Sequence, residues 1–222
     1  MLVRQQTIRP HVNSLSKSPP YEKDTIYLFA SACVLTTNAQ TPVSWYHYAE
    51  EFYFVKEVPT TSLHGKNFRY EIAVKADPSD TLSKVRIHGI GVGKGQDDFL
   101  NSNFTVETRT EQEWTIYTVI GTVQPEAKKL WFYASVNGNG SFYFDDLSFY
   151  IQEEPGKWRQ LSLFNASFEE KQTDIFAGYY VSKRRSPNLQ TMLSKEAVKT
   201  GQKSLLVKTR GAAPVVSSAM TE

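Results

Sequence analysis

Cysteine is almost absent from this chain of 222 residues, which contains Cys33 alone. One thiol cannot form an internal disulfide, and a thiolate zinc cluster takes several cysteines. The histidines are also few and scattered, without the spacing of metal ligands: they are His11, His47, His64 and His88. The sequence therefore gives no pattern for a disulfide framework or for a metal centre built from histidine and cysteine.

An excess of charge of one sign is also lacking. The formal net charge is +2, and the lysines and arginines are interspersed with acidic residues. A surface that binds a polyanion needs a basic stripe or patch. The sequence therefore predicts no nucleic-acid partner.

No apolar run is long enough to span a bilayer as a helix, but one short run is typical of a secretory signal. Residues 26–35 read I-Y-L-F-A-S-A-C-V-L, the length of a signal-peptide h-region. Small residues follow, and we expect cleavage after Ala39. Residues 1–43 are thus predicted to be a disordered leader with a signal peptide, in a secreted or cell-envelope protein. The alternative is that the apolar run is a buried strand or a short helix.

The chain is rich in short runs in which large apolar residues alternate with polar ones. Aromatic residues make up 13% of the chain, and Phe68, Tyr70 and Ile72 share one face of such a run. Turn-forming residues separate the runs, and no helical periodicity is visible between them. This pattern predicts an all-β fold, either a sandwich or a barrel. The aromatic content favours an antiparallel sandwich, in which large rings fill the space between two sheets.

An Asn-Gly-Asn-Gly sequence at residues 137–140 separates two alternating aromatic runs. Asn-Gly between such runs is the strongest short-range signal for a β-hairpin. We therefore expect residues 135–151 to form a hairpin around which the other strands pack. Asp145 and Asp146 interrupt its second run, and adjacent residues of a regular strand face opposite sides. Both carboxylates can reach one partner only if a β-bulge lies there.

Aromatic residues on the outward faces of the predicted strands are the candidates for ligand contact. In residues 129–136, Trp131 and Tyr133 alternate with apolar residues that we expect in the core, and Tyr117 and Tyr143 alternate against similar runs. Aromatic rings stack on the C–H faces of sugars, and nearby polar groups then bind the hydroxyls. These four residues are therefore predicted to bind a ligand. The alternative is that loops or a second module bury their rings.

The sequence changes character after residue 153. Residues 44–153 are predicted to form the main β-sandwich module, and residues 154–222 a partial second β module with a tail. The second segment is short for an independent sandwich. It is either an incomplete module or a set of extra strands on the first module.

Short motifs of the first segment, at residues 65–71, 74–77, 114–117 and 142–148, resemble successive strands of galactose-binding-like jelly-roll modules. Residues 165–169 and 201–205 resemble the opening strands of another such module. The most similar type is the carbohydrate-binding module of bacterial secreted glycoside hydrolases. Similar paired modules precede the catalytic domain of some secreted tail-specific serine peptidases. The resemblance implies a jelly-roll sandwich.

The resemblance also implies a function and an ion. A module of this type is not an enzyme and binds a glycan through sheet-face aromatics or through loops. The loop candidates here are Gln96, Asp97, Asp98 and Asn101. In the family, a structural calcium is often held by carboxylates, and Asp146 and Glu169 are the matching candidates. The alternative for these carboxylates is to accept hydrogen bonds from backbone amides. The alternative function is an accessory module that docks on a neighbouring hydrolase or peptidase domain and binds no sugar.

Overall fold

The computed structural model describes residues 44–48, 51–95, 98–170, 173–182, 188–211 and 214–218. They fall within one compact unit, and β1 and β13 are described by their backbone alone. The predicted leader, its h-region and its cleavage site lie outside these residues. The described ranges contain no helix with the length and apolar character that crossing a bilayer requires.

The described residues form thirteen strands in chain order. Their bounds are β1 Ser44–Tyr48, β2 Glu51–Pro59, β3 Asn67–Pro78, β4 Lys84–Val92, β5 Thr105–Glu111, β6 Trp114–Thr122, β7 Lys129–Asn137, β8 Gly140–Glu154, β9 Lys157–Leu161, β10 Tyr179–Val181, β11 Leu189–Ser194, β12 Ser204–Thr209 and β13 Pro214–Ser218.

These strands form two main antiparallel sheets that pack as a sandwich. The four-stranded sheet has the order β10-β2-β7-β4, and the seven-stranded sheet has the order β11-β12-β8-β3-β6-β5, with β9 paired to β8. β1 and β13 pair in a separate two-stranded sheet. The prediction of an all-β antiparallel sandwich is confirmed. The finer assignment, to a galactose-binding-like jelly roll, stays a prediction.

The core lies between the two sheets and consists mainly of the alternating aromatic residues. Phe68, Tyr70 and Ile72 of β3 are fully buried, as the alternation predicts. The ring of Tyr70 stacks on the ring of Phe132 in the opposite sheet, with 4.1 Å between centroids. Large rings fill the space between two sheets with few polar atoms, which explains why the sequence places them at every second position.

The segment after residue 154 supplies strands to both sheets and side chains to the same core. β10 pairs with β2, and β12 pairs with β8. Phe168, Phe176 and Leu205 belong to the cluster of buried residues that also contains Phe68. The two sequence segments therefore share one hydrophobic core.

The predicted hairpin at residues 135–151 is wrong. β7 pairs with β2 and β4, whereas β8 pairs with β3, β12 and β9, so the two runs belong to different sheets. Gly138 and Gly140 both have positive φ values, 115° and 144°, which L side chains rarely adopt. The glycines thus make a sharp connection from one sheet to the other instead of a turn within one sheet.

Candidate functional site

The outer face of the four-stranded sheet carries a contiguous group of ring side chains, which we call the ring surface. β7 lies between β2 and β4, so outward-facing side chains of these strands meet. Tyr133 of β7 pairs with Val55 of β2 and with His88 of β4. On the other side of β2, Val55 pairs with Tyr180 of β10. The ring surface consists of Tyr53, His88, Phe99, Trp131, Tyr133 and Tyr180.

Trp131 and Tyr133 are the two centres of the ring surface. The Trp131 ring lies 5.7 Å from Tyr180, 5.9 Å from Phe99 and 6.2 Å from Tyr133, measured between centroids. The Tyr133 ring stacks on His88 at 4.6 Å with an interplanar angle of 5°. The sequence therefore predicted the central pair of this surface correctly as outward-facing rings.

The ring surface is open to solvent at its periphery. Tyr180 is 52% exposed, Phe99 is 49% exposed and Tyr53 is 37% exposed. Beneath them, Val55 faces the same way yet is only 2% exposed, because the rings cover it. Contiguous exposed aromatic patches of this kind mark sites of interaction on soluble proteins.

A carboxylate and an ammonium group fix the central indole. Glu57 Oε2 accepts a hydrogen bond from Trp131 Nε1 at 2.8 Å and forms an ion pair with Lys129 Nζ at 2.9 Å. The Tyr180 hydroxyl also hydrogen-bonds to Glu57. Partial burial acts to raise the pKa of Glu57, but the hydrogen bonds from Trp131, Lys129 and Tyr180 outweigh it and lower that pKa. Glu57 is therefore ionised at neutral pH, and it holds two rings of the surface in place.

His88 is a neutral ring at physiological pH. Burial lowers the pKa of its imidazole, the Glu51 carboxylate opposes this effect, and Arg86 adds to it. A neutral imidazole stacks on Tyr133 without adding charge to the surface. Since Glu57 and Lys129 neutralise each other, the ring surface suits an uncharged ligand.

Tyr117 and Tyr143 do not lie on the ring surface. Tyr117 is on β6 of the seven-stranded sheet and packs against the core between the sheets. Tyr143 is on β8 and faces outward, but it is buried in a second cluster with Trp114 and Leu206. Its hydroxyl donates to Glu196 at 2.9 Å. Strand alternation alone could not show that a distant segment would cover this ring.

The sequence reasoning missed four members of the ring surface: Tyr53, His88, Phe99 and Tyr180. Tyr53 alternates with buried Phe52 and Phe54, so the argument that found Trp131 would also have found it. Tyr180 reaches the surface only because β10 pairs with β2, which is a contact between distant parts of the chain. No local sequence pattern predicts the pairing of β10 with β2.

A β-bulge lets the carboxylates of Asp145 and Asp146 contact the same segment, residues 199–200. The register of β3 with β8 shifts between Glu71 and Ala73, and Asp146 has a φ of 50°. Asp145 accepts hydrogen bonds from the backbone N–H groups of Lys199 at 2.9 Å and Thr200 at 3.3 Å, and Asp146 accepts one from the Thr200 hydroxyl. The bulge thus meets the condition under which both carboxylates can reach one partner.

Asp145 is fully buried. Burial raises the pKa of its carboxyl to about 6, although the backbone N–H donors oppose this shift. Glu169 Oε1 accepts from the backbone N–H groups of Gln202 at 2.6 Å and Lys203 at 2.7 Å. The carboxylates at this end of the sandwich therefore hold the turn before β12.

Calcium at Asp146 and Glu169 stays a prediction. Calcium takes six to eight oxygen ligands, and N–H or O–H donors already occupy one oxygen of each carboxylate. Within the described residues, no group of three or more histidine, cysteine, aspartate and glutamate side chains is placed to hold a metal ion. The donor set of these two carboxylates fits a calcium ion poorly.

Two further acidic residues, at the end of β8, are engaged in ion pairs. Glu153 pairs with Arg159, and Glu154 pairs with Lys157 at 2.6 Å, on the exposed turn between β8 and β9. Of the loop candidates, Gln96 and Asp97 lie outside the described residues. Asp98 accepts a hydrogen bond from the backbone N–H of Lys94 at 3.0 Å.

Comparisons of this chain with protein-family profiles, with curated proteins and with solved structures find no match. The class that the structure defines is an all-β antiparallel sandwich of a four-stranded and a seven-stranded sheet.

Proposed function

We propose that this chain is a non-catalytic carbohydrate-binding module of a secreted bacterial protein, and that the ring surface binds the glycan. The observation that carries the proposal is the contiguous exposed group of rings around Trp131 and Tyr133. Sugar rings present apolar C–H faces, which stack on indole and phenol rings. A surface that is held rigid before binding loses little conformational entropy when the ligand arrives.

Polar atoms among the rings favour a glycan over a purely apolar partner. Glu57 and Lys129 lie beside the Trp131 ring, and the hydroxyls of Tyr53 and Tyr133 belong to the surface. Sites for small polar ligands combine apolar walls with a few placed polar groups, which fix the ligand's orientation. The competing hypothesis is an accessory module that docks on a neighbouring catalytic domain through the same rings, since exposed apolar patches also mark protein interfaces.

Affinity electrophoresis and isothermal titration against a panel of soluble polysaccharides test the proposal. We expect at least one neutral polysaccharide to bind the wild type. Trp131→Ala should weaken that binding about tenfold or more, or about 1.4 kcal/mol or more. Tyr180→Ala, which truncates an exposed ring at the rim of the surface, should weaken it less while leaving the fold intact.

Phe164→Ala provides the matched control. Phe164 is an exposed ring, 51% accessible, that is not part of the ring surface. This variant should bind as the wild type does. If no polysaccharide binds the wild type, or if Trp131→Ala binds equally well, the glycan proposal fails and the docking hypothesis takes its place.

A further inference from the structure

A second concave surface lies on the other sheet, at the starts of β3 and β5 and the end of β6. It is a cleft of about 510 Å³. Five amide side chains and one indole are among the residues that line it. They are Asn67, Asn101, Asn103, Gln124, Gln152 and Trp158. No charged residue is among the described residues that line it. We call it the amide cleft.

Hydrogen bonds hold one wall of the amide cleft. Asn67 Nδ2 donates to Gln152 Oε1 at 2.9 Å, and the Thr122 hydroxyl donates to Asn67 Oδ1 at 2.7 Å. These bonds fix the orientation of both amides, and each amide has further donor or acceptor capacity. The wall is therefore ordered before any ligand binds.

The opposite wall is held by the segment that enters β5. Gln124 accepts from the Ser102 hydroxyl at 2.9 Å and donates to the backbone carbonyl of Asn101 at 2.9 Å. The Phe104 ring packs close to Gly89, where an added Cβ would lie 3.1 Å from the ring. Because Gly89 has no side chain, the Phe104 ring can pack there. Phe104 also packs against the core, which connects this wall to the interior of the sandwich.

The chemistry of the lining points to a neutral polyhydroxylated ligand. An amide group offers both a donor and an acceptor, and a sugar hydroxyl is also both. The indole of Trp158 adds a flat wall, and the Arg69 guanidinium lies over the ring, 5.2 Å from its centroid. A pyranose face stacks on the part of the indole that lines the cleft. A neighbouring cleft of about 330 Å³ differs in this respect, because Glu71, Arg109 and Lys199 line it. There, Arg109 and Glu71 form an ion pair at 3.0 Å.

We propose that the amide cleft is a second binding site, and that it takes a neutral sugar unit of a glycan. The cleft lies on the seven-stranded sheet, whereas the ring surface lies on the four-stranded sheet. The segment that carries Phe99 and Asn101 contributes one residue to each site. The proposal therefore goes beyond the function proposed for the ring surface and can stand without it.

Fluorine NMR of the full chain labelled with 5-fluorotryptophan separates the two sites in one titration. The full chain has four tryptophans and gives four signals. Trp158 reports on the amide cleft, Trp131 reports on the ring surface, Trp114, which is 5% exposed, belongs to neither, and Trp45 gives the fourth signal. Single Trp→Phe variants assign the signals. We expect neutral oligosaccharides, at concentrations up to about 10 mM, to move the Trp158 signal with saturation. A uronate oligosaccharide of the same length should move it much less, since none of the described residues that line the cleft is charged and Arg69, which lies over Trp158, forms an ion pair with Glu71 at 3.5 Å.

Asn103→Ala tests the amides directly, because Asn103 is exposed and its loss leaves the core untouched. It should raise the dissociation constant read from Trp158 about fivefold. Gln190→Ala removes an exposed amide from β11 and is the matched control, with no change expected. The proposal is overturned if no neutral oligosaccharide moves Trp158, if the uronate moves it equally, or if Asn103→Ala has no effect. A shift of Trp158 without a shift of Trp131 would support the cleft and count against the ring surface, and the reverse result would do the opposite.

Discussion

Lys56 is a buried cation, 3% exposed, on the inner face of β2. Its ammonium group donates to the backbone carbonyls of Phe164 and Gly178, the second at 3.2 Å, and lies 4.2 Å from the centroid of the Tyr179 ring. These contacts tie the segment before β10 to β2. Burial lowers the pKa of Lys56 to about 8, from 10.5.

The lowered pKa of Lys56 predicts that stability rises with pH in the alkaline range. Between about pH 8 and 10.5 the unfolded chain keeps a proton that the folded chain has released, so the free energy of unfolding increases. Lys56 alone should contribute an increase of about 2 kcal/mol from pH 7.5 to 9.5. Urea unfolding at both pH values, followed by circular dichroism, measures it.

Lys56→Met is the comparison variant. It removes the titrating group and leaves two carbonyls without their donor, so it should be less stable at pH 7.5 by about 1–3 kcal/mol. It should also lack the alkaline rise that the wild type shows. An equal rise in both proteins would show that Lys56 keeps an ordinary pKa in the folded state.

The Glu169 carboxylate stabilises the turn that leads into β12. One of its oxygens accepts from two backbone N–H groups. Glu169→Gln keeps an acceptor oxygen and should lower the free energy of unfolding by less than about 1 kcal/mol. Glu169→Ala leaves both N–H donors without an acceptor and should lower it by about 1–3 kcal/mol. Thermal unfolding of the three proteins, with chelator and with millimolar calcium, provides the measurement.

The same experiment tests the calcium prediction. If the amide contacts account for the role of Glu169, calcium leaves the melting temperature of every variant unchanged. A rise of several degrees in the wild type that is absent in Glu169→Gln would show a bound ion, because an ion that binds only the folded state stabilises it.

At the level of elements, alternation predicted the faces of β3 and β7 correctly, but it placed Tyr117 of β6 on the outward face, whereas Tyr117 packs against the core. It predicted strand pairing poorly. The inward and outward sets of β3 and β7 follow directly from the period of two, which depends only on local backbone geometry. The Asn-Gly sequence at residues 137–140 predicted a hairpin, but the partners of β7 and β8 are distant strands. A turn sequence permits a reversal of the chain, and long-range burial decides whether the two strands then pair.

The whole molecule depends on strands from both ends of the described sequence. β12 lies between β11 and β8, and its residue Leu205 is fully buried in the shared core. The sequence contained a signal for β12 at residues 201–205, yet it left open whether the segment after residue 154 forms a second module. Only the packing of Leu205 and Phe168 against β2, β3 and β8 residues shows that one core serves both segments.

One shared core predicts one cooperative unfolding transition. Leu205→Ala should shift the whole transition and cost about 2–5 kcal/mol, the range for deleting a buried leucine side chain. Met192→Ala on β11, where the side chain is 42% exposed, should cost less than about 0.5 kcal/mol. Urea unfolding followed by both tryptophan fluorescence and circular dichroism tests this. Two separated transitions, with only the second shifted by Leu205→Ala, would contradict a shared core.

The central claim is that the ring surface contacts a glycan, and backbone amide chemical-shift mapping tests it most directly. A ¹H–¹⁵N titration of the labelled chain with the neutral oligosaccharide that binds best reports every contact at once. The account predicts that the largest shifts include Tyr53, His88, Trp131, Tyr133 and Tyr180, on the outer face of the four-stranded sheet. Saturable binding that leaves these amides unshifted, or the absence of any shift with every oligosaccharide tested, would contradict it.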